Sequence, residues 1–132
     1  MRAPLLGDGK DSVKMKARSV ALDQGKWERL NQIRVSRWSL DEIPAPSGPV
    51  GAMWCVLEPN QTSGIDCHDE WELVIAVSGA GEVAIGGERL AIEPGRVAVL
   101  PPGIAHQYAN RNDDQNLVVA SIFWTSMSEV PV

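Results

Sequence analysis

Between Gly64 and Asn110 the chain alternates short apolar runs with glycine and proline at a spacing that leaves no room for a helix of ordinary length. Gly79-Ala80-Gly81, Gly86-Gly87, Pro94-Gly95 and Pro101-Pro102-Gly103 cut the stretch into segments of roughly five residues. Gly86-Gly87 suits a two-residue hairpin in which both central positions need positive φ. Pro94-Gly95 suits a type II turn. Pro101-Pro102 lacks the amide hydrogens a ladder needs, so it ends one strand and redirects the chain. Strands are therefore expected over 72–78, 82–85, 88–92, 96–100 and 105–110. A turn at 112–114 then leads into a long apolar strand over 117–125.

The remainder extends this pattern. Residues 52–58 form an apolar run closed by Pro59, read as a strand, and 41–51 carry three prolines and two glycines, read as a loop. The alternation over 33–38 argues for a half-buried strand, preceded by a short helical possibility at 27–31. Residues 1–25 lack sustained periodicity and read as a loose N-terminal arm with a short strand around 19–22; residues 26–132 read as one barrel domain. Many short strands at about ten-residue spacing give an all-β sandwich or barrel.

Size and charge narrow the partners. A chain of 132 residues fits one domain with a sizeable core. Its net charge is −5 and its basic residues are scattered, so no surface is built to grip phosphates and no nucleic-acid partner is expected. No apolar run approaches the roughly 20 residues needed to cross a bilayer, so no membrane partner is expected either. Residues 1–10 lack the apolar core of a signal peptide, which makes a cytoplasmic location the expectation. Cys55 and Cys67 have no metal-finger spacing and read as buried free thiols. Five tryptophans stand against one Phe and one Tyr, and most read as filler for the core or a dimer interface.

Both histidines of the chain, His68 and His106, fall inside the punctuated stretch. Strand parity puts Tyr108 on the face of His106, and Val74 and Ala76 on the face of Glu72. The same parity turns Cys67 away from Asp66 and His68, which makes it structural. Glu70 falls in the loop 69–71 and reads as a solvated carboxylate. On 52–58 either Met53, Cys55 and Leu57 or Trp54 and Val56 point inward. Phe123 and Trp124 pose the same choice.

Gly95, Pro101, Gly103, His106 and Asn110 stand in the spacing G-x5-P-x-G-x2-H-x3-N. This resembles the second motif of the cupin superfamily at every defined position. The first motif, G-x5-H-x-H-x3,4-E-x6-G, is matched at His68, Glu72 and Gly79, while Asn60 stands at the leading glycine and Asp66 at the first histidine. The resemblance spans roughly residues 50 to 125. It implies a double-stranded β-helix, or jelly-roll, cupin barrel that is often a homodimer.

It further implies that His68, Glu72 and His106 ligate a divalent metal ion, with Asp66 either a fourth ligand or an orienting partner of His68. Two imidazoles and carboxylate oxygen suit Fe, Zn, Mn, Ni or Co. Tyr108 and Glu72 are the candidate catalytic side chains, Tyr108 as acid, base or orienting donor. The leading expectation is a metal-dependent enzyme on a small-molecule substrate, either a dioxygenase or an isomerase, cyclase or lyase. The alternative is a non-catalytic cupin that binds or senses a small ligand.

Overall fold

The computed structural model describes residues 16–126, so most of the expected arm lies outside the described residues. Among the described residues ten strands run in chain order: β1 (Arg18–Ala21), β2 (Glu28–Leu30), β3 (Ile33–Val35), β4 (Gly51–Leu57), β5 (Trp71–Ser78), β6 (Gly81–Ile85), β7 (Glu88–Ile92), β8 (Arg96–Leu100), β9 (His106–Ala109) and β10 (Leu117–Trp124). One 3-10 turn, Leu22–Gln24, follows β1. No helix among the described residues is long and apolar enough to cross a membrane.

The strands form an antiparallel jelly roll. A five-stranded sheet has the order β1-β8-β5-β10-β4 and a three-stranded sheet the order β9-β6-β7. The expected turns connect them: Gly86 and Gly87 take φ of 57° and 80°, and Gly95 takes 93° with the Arg96 amide donating to the Glu93 carbonyl. The strand expected around 19–22 runs over Arg18–Ala21 and pairs with β8, placing this part of the chain in the larger sheet.

Alternation along β5 explains the layering. Glu72, Val74 and Ala76 face inward, and Val74 and Ala76 join Leu57, Val83, Ile92, Leu100, Leu117 and Val119 in the barrel core. Each large aliphatic side chain withdrawn from water here contributes about 1.5–3 kcal/mol. Trp71 and Leu73 face outward, yet they too are buried, in a second cluster with Val97, Val99 and Trp124 that Leu40 and Ile43 cover. Apolar residues therefore line both faces of the central strands. The register Leu117↔Leu57, Val119↔Cys55, Ser121↔Met53 and Phe123↔Gly51 resolves the open choices. Met53, Cys55 and Leu57 take the inner face of β4, and Trp54 and Val56 the outer one.

Two expectations fail near the N-terminus. Residues 27–31 are not helical: Glu28–Leu30 pairs with Ile33–Val35 in a separate hairpin. Asn31 and Gln32 both adopt positive φ, 54° and 67°, and close it as a two-residue turn. The alternation over 33–38 does not make a half-buried strand either. The strand stops at Val35 and Ile33 stays 59% exposed, because among the described residues the hairpin has no third strand beside it. Trp27 and Trp38 are exposed in this region, as is Trp54 on β4, so only Trp71 and Trp124 fill the core.

Asn110 ties the barrel at its far end. The residue is 1% exposed, and the two hydrogens of its amide nitrogen are shared among the carbonyls of Leu57, Glu58 and Gln115 at 3.0, 3.1 and 2.8 Å. Its oxygen accepts from the Asn112 amide at 3.1 Å. This clamp joins the end of β4 to the loop before β10. Asn110→Ala removes these side-chain bonds from a buried position and is expected to lower the unfolding free energy by roughly 2–4 kcal/mol. Denaturant titration checks this, and an unchanged midpoint would mean the clamp carries no stability.

Candidate metal centre

The site is assembled by a loop that behaves as an extra strand. From Gln61 to His68 the chain runs antiparallel to β9. The Ser63 amide donates to the Tyr108 carbonyl, and the Asp66 and His106 amides exchange bonds of 2.9 and 2.8 Å with each other's carbonyls. The Gly103 amide then donates to the His68 carbonyl at 2.9 Å, made possible by the Pro-Pro-Gly corner and the positive φ of Gly103, 80°. Backbone bonds thus hold Asp66 and His68 against the strand that carries His106. Glu72 arrives from the adjacent strand β5, whose parity turns it inward.

The side chains converge. Glu72 and His106 are each 3% exposed. The Glu72 Oε1 atom lies 3.1 Å from His68 Nε2 and 3.7 Å from His106 Nε2. The two imidazoles stand edge to face with centroids 4.9 Å apart. Among the described residues, one ligating atom each of Asp66, His68 and His106 falls within 4.8 Å of the other two. Asp66 itself is exposed, and its Oδ1 accepts from the Cys67 amide at 2.9 Å.

The donor set fits a divalent cation. Ligands about 2.1 Å from an ion sit roughly 3–3.5 Å apart, close to the spacings around Glu72 Oε1. His106 Nδ1 lies 3.3 Å from the Ile104 carbonyl, a partner that takes its proton and leaves Nε2 with its lone pair facing the cluster. His68 Nδ1 is buried with no hydrogen-bond partner, the nearest carboxylate being Glu70 Oε1 at 3.9 Å. A cation on Nε2 would move the His68 proton to Nδ1, toward Glu70.

Glu72 is held by more than the histidines. Its Oε2 accepts from the Tyr108 hydroxyl at 3.0 Å and from the buried Ser121 hydroxyl. Burial pushes the Tyr108 phenol far above its usual value, and the neighbouring Glu72 charge and their hydrogen bond add to this. Burial also raises the Cys55 thiol, with Glu72 again adding to the shift.

A cavity of about 150 Å³ opens over these groups, with Met53 and Phe123 supplying its apolar wall. Phe123 sits where it does because its cross-strand partner is Gly51. A β-carbon there would lie 2.3 Å from the ring.

All the sequence-predicted ligand residues and Tyr108 therefore meet at one place. Trp54 and Trp124 do not: Trp124 faces outward, its indole donating to the Pro44 carbonyl at 3.1 Å. Glu70 lies in the loop as expected, its side chain 36% exposed, and it also lines the cavity. Cys55, on β4 at the edge of the larger sheet, is only partly buried, and Cys67, in the connection before β5, is exposed, against the expectation of two buried thiols. Ser121 and Gly51 were not singled out from the sequence. Their roles arise from partners on other strands, and only the inward parity of β10 could have pointed to Ser121.

The family model described as "Cupin domain" matches residues 53–123. The chain is a member of the cupin family. A solved Cupin 2 conserved barrel domain protein from Salinispora arenicola is 30% identical, with a TM-score of 0.53, over 75% of this chain and 81% of that one. A protein from Photorhabdus luminescens is 27% identical, with a TM-score of 0.53, over 58% of this chain and 63% of its own length. The fold is also similar to that of a salicylate 1,2-dioxygenase from Pseudaminobacter salicylatoxidans, at 15% identity and TM-score 0.51, over 56% of this cupin and 20% of the dioxygenase. No curated protein matches the sequence.

Tyr108 is the only tyrosine, so its titration can be read directly. Its folded-state value lies above the ordinary value of about 10. The protonated phenol thus stabilises the fold, fully below pH ~10 and progressively less as the pH rises beyond it. In metal-free protein, phenolate absorbance at alkaline pH is expected to appear only together with unfolding. A phenolate signal at the ordinary value in folded protein would contradict the buried Tyr108–Glu72 pair.

Proposed function

We propose that this cupin is a metal-dependent enzyme acting on a small organic molecule. The observation that carries the reading is the approach of both histidine Nε2 atoms to one oxygen of a sealed carboxylate, Glu72, beside Asp66. His68, His106 and Glu72 would hold a divalent cation, with Asp66 as a further oxygen ligand; Fe, Zn, Mn, Ni and Co all suit such a set. The cation would supply Lewis acidity toward a carbonyl or alcohol, or a binding position for O₂, the dioxygenase branch.

The protein's own groups do the rest. Tyr108 and Ser121 fix Glu72 through Oε2 so that Oε1 stays turned to the imidazoles. Ile104 fixes the His106 tautomer. Met53 and Phe123 give one side of the cavity an apolar surface for a bound molecule. Tyr108 donates its hydroxyl to Glu72 Oε2, which makes it an orienting donor to the carboxylate.

One observation favours the alternative, a cupin that binds or senses a small ligand without turnover. Glu72 and Tyr108 already satisfy each other, so neither of the two candidate catalytic side chains is free to exchange a proton with a bound molecule. Under either reading a homodimer in the cytoplasm is our proposal. The uncharged outer residues Ala52, Trp54 and Val56 of β4 support self-association in a chain of net charge −5.

Metal analysis of protein purified without chelator tests the site. His106→Ala is expected to abolish metal retention while the barrel stays folded by circular dichroism. A full metal complement in that folded variant would sink the assignment. Asp66→Ala is expected to weaken metal affinity about tenfold to a hundredfold; unchanged affinity would remove it from the site. Iron with oxygen consumption would point to the dioxygenase branch, and zinc or nickel without it to the isomerase, cyclase or lyase branch.

A further inference from the structure

We propose that the cavity over Glu72 selects small neutral or cationic molecules and rejects carboxylates and other small anions. The inference rests on the metal-site reading for its full form, and on the cavity's own composition for its sign. The cavity is lined by three carboxylates (Asp66, Glu70 and Glu72), two imidazoles and one phenol, and neither lysine nor arginine contributes to it.

The basic groups of the described residues are committed or exposed elsewhere. Arg89 and Arg111 pair with Glu82, Arg96 with Glu93, Lys16 with Glu88 and Arg37 with Glu28. Arg18 donates to the Ser39 carbonyl, and Arg34 stacks on Trp27. Lys26 and Arg29 are exposed near the separate hairpin. None of these described basic residues lines the cavity.

Charge then decides. With neutral imidazoles the lining carries three negative charges, and a divalent cation leaves a net charge of minus one. A site with a third histidine in place of Asp66, and no Glu70, would carry plus one under the same count. An incoming carboxylate meets repulsion here where that site would attract it, strongest beside the buried Glu72 and damped by solvent at Asp66 and Glu70.

Size narrows the class further. A cavity of about 150 Å³ holds the equivalent of about five waters. The part of the occupant held inside is therefore compact, an alcohol, ketone, amide or amine group with one polar atom toward the histidines and a short apolar part against Met53 and Phe123.

Two matched probes test this on the full chain: 2-aminoethanol, a cation at neutral pH, and glycolate, an anion of similar size. The chain has only two histidines, so the ring resonances of His68 and His106 report on the cavity directly. In metal-free protein both are expected to shift with 2-aminoethanol at concentrations at least about tenfold below any needed for glycolate. In cobalt-loaded protein, azide is expected to perturb the visible spectrum weakly. Glu70→Gln, which removes one negative charge, should raise azide affinity about tenfold while changing the affinity of neutral imidazole less than about twofold.

Glycolate shifting the rings as readily as 2-aminoethanol would overturn the proposal. So would an azide affinity that Glu70→Gln leaves unchanged. Absence of a bound cobalt spectrum in the parent protein would overturn the metal-site reading instead, and the histidine resonances would still decide the charge preference.

Discussion

A carboxylate taken out of water inside a β-barrel costs several kcal/mol unless donors surround it. Glu72 meets that condition with Tyr108 and Ser121 on one oxygen and His68 on the other. Charge-assisted hydrogen bonds contribute about 1.5–3 kcal/mol each, so three of them offset a penalty of that size. The consequence is geometric as much as energetic. The donors come from three places in the barrel, so Glu72 cannot rotate without breaking contacts to β9, β10 and the loop before β5. One oxygen is thereby reserved for the imidazoles.

The rest of the site depends on backbone rather than side-chain bonds. Asp66 and His106 exchange both of their amide bonds, and His68 is anchored through its carbonyl to Gly103. A side chain on a long connection between strands would otherwise sample many positions, at a backbone entropy cost of about 1–2 kcal/mol per residue on ordering. Here the connection is zipped onto β9 from Gln61 to His68, and that cost is met by the same hydrogen bonds that extend the sheet.

What could be read from the sequence follows from how local each constraint is. Gly86-Gly87, Pro94-Gly95 and Pro101-Pro102-Gly103 restrict φ or remove donors within a few residues, so the strand order from β5 to β9 was visible without coordinates. The convergence of His68, Glu72 and His106 was visible through motif spacing and parity. Parity failed on β4 for a physical reason. Its sheet is apolar on both faces, with Trp71, Leu73, Val97 and Val99 packed outside, so hydrophobicity gave no direction. The hairpin of β2 and β3 was missed because Asn31 and Gln32 take positive φ without glycine. Ser121 was missed because it meets Glu72 from 49 positions away.

The pairing of Gly51 with Phe123 has a consequence for how such a barrel could diversify. The aromatic ring occupies the space a larger residue at position 51 would claim, while its own face bounds the chamber above Glu72. Depth of that chamber is thus governed by a position that touches no ligand and bears no functional group. Exchanging side-chain bulk between these two neighbours, one growing as the other shrinks, would reshape the accommodated guest while leaving the imidazoles and carboxylates undisturbed.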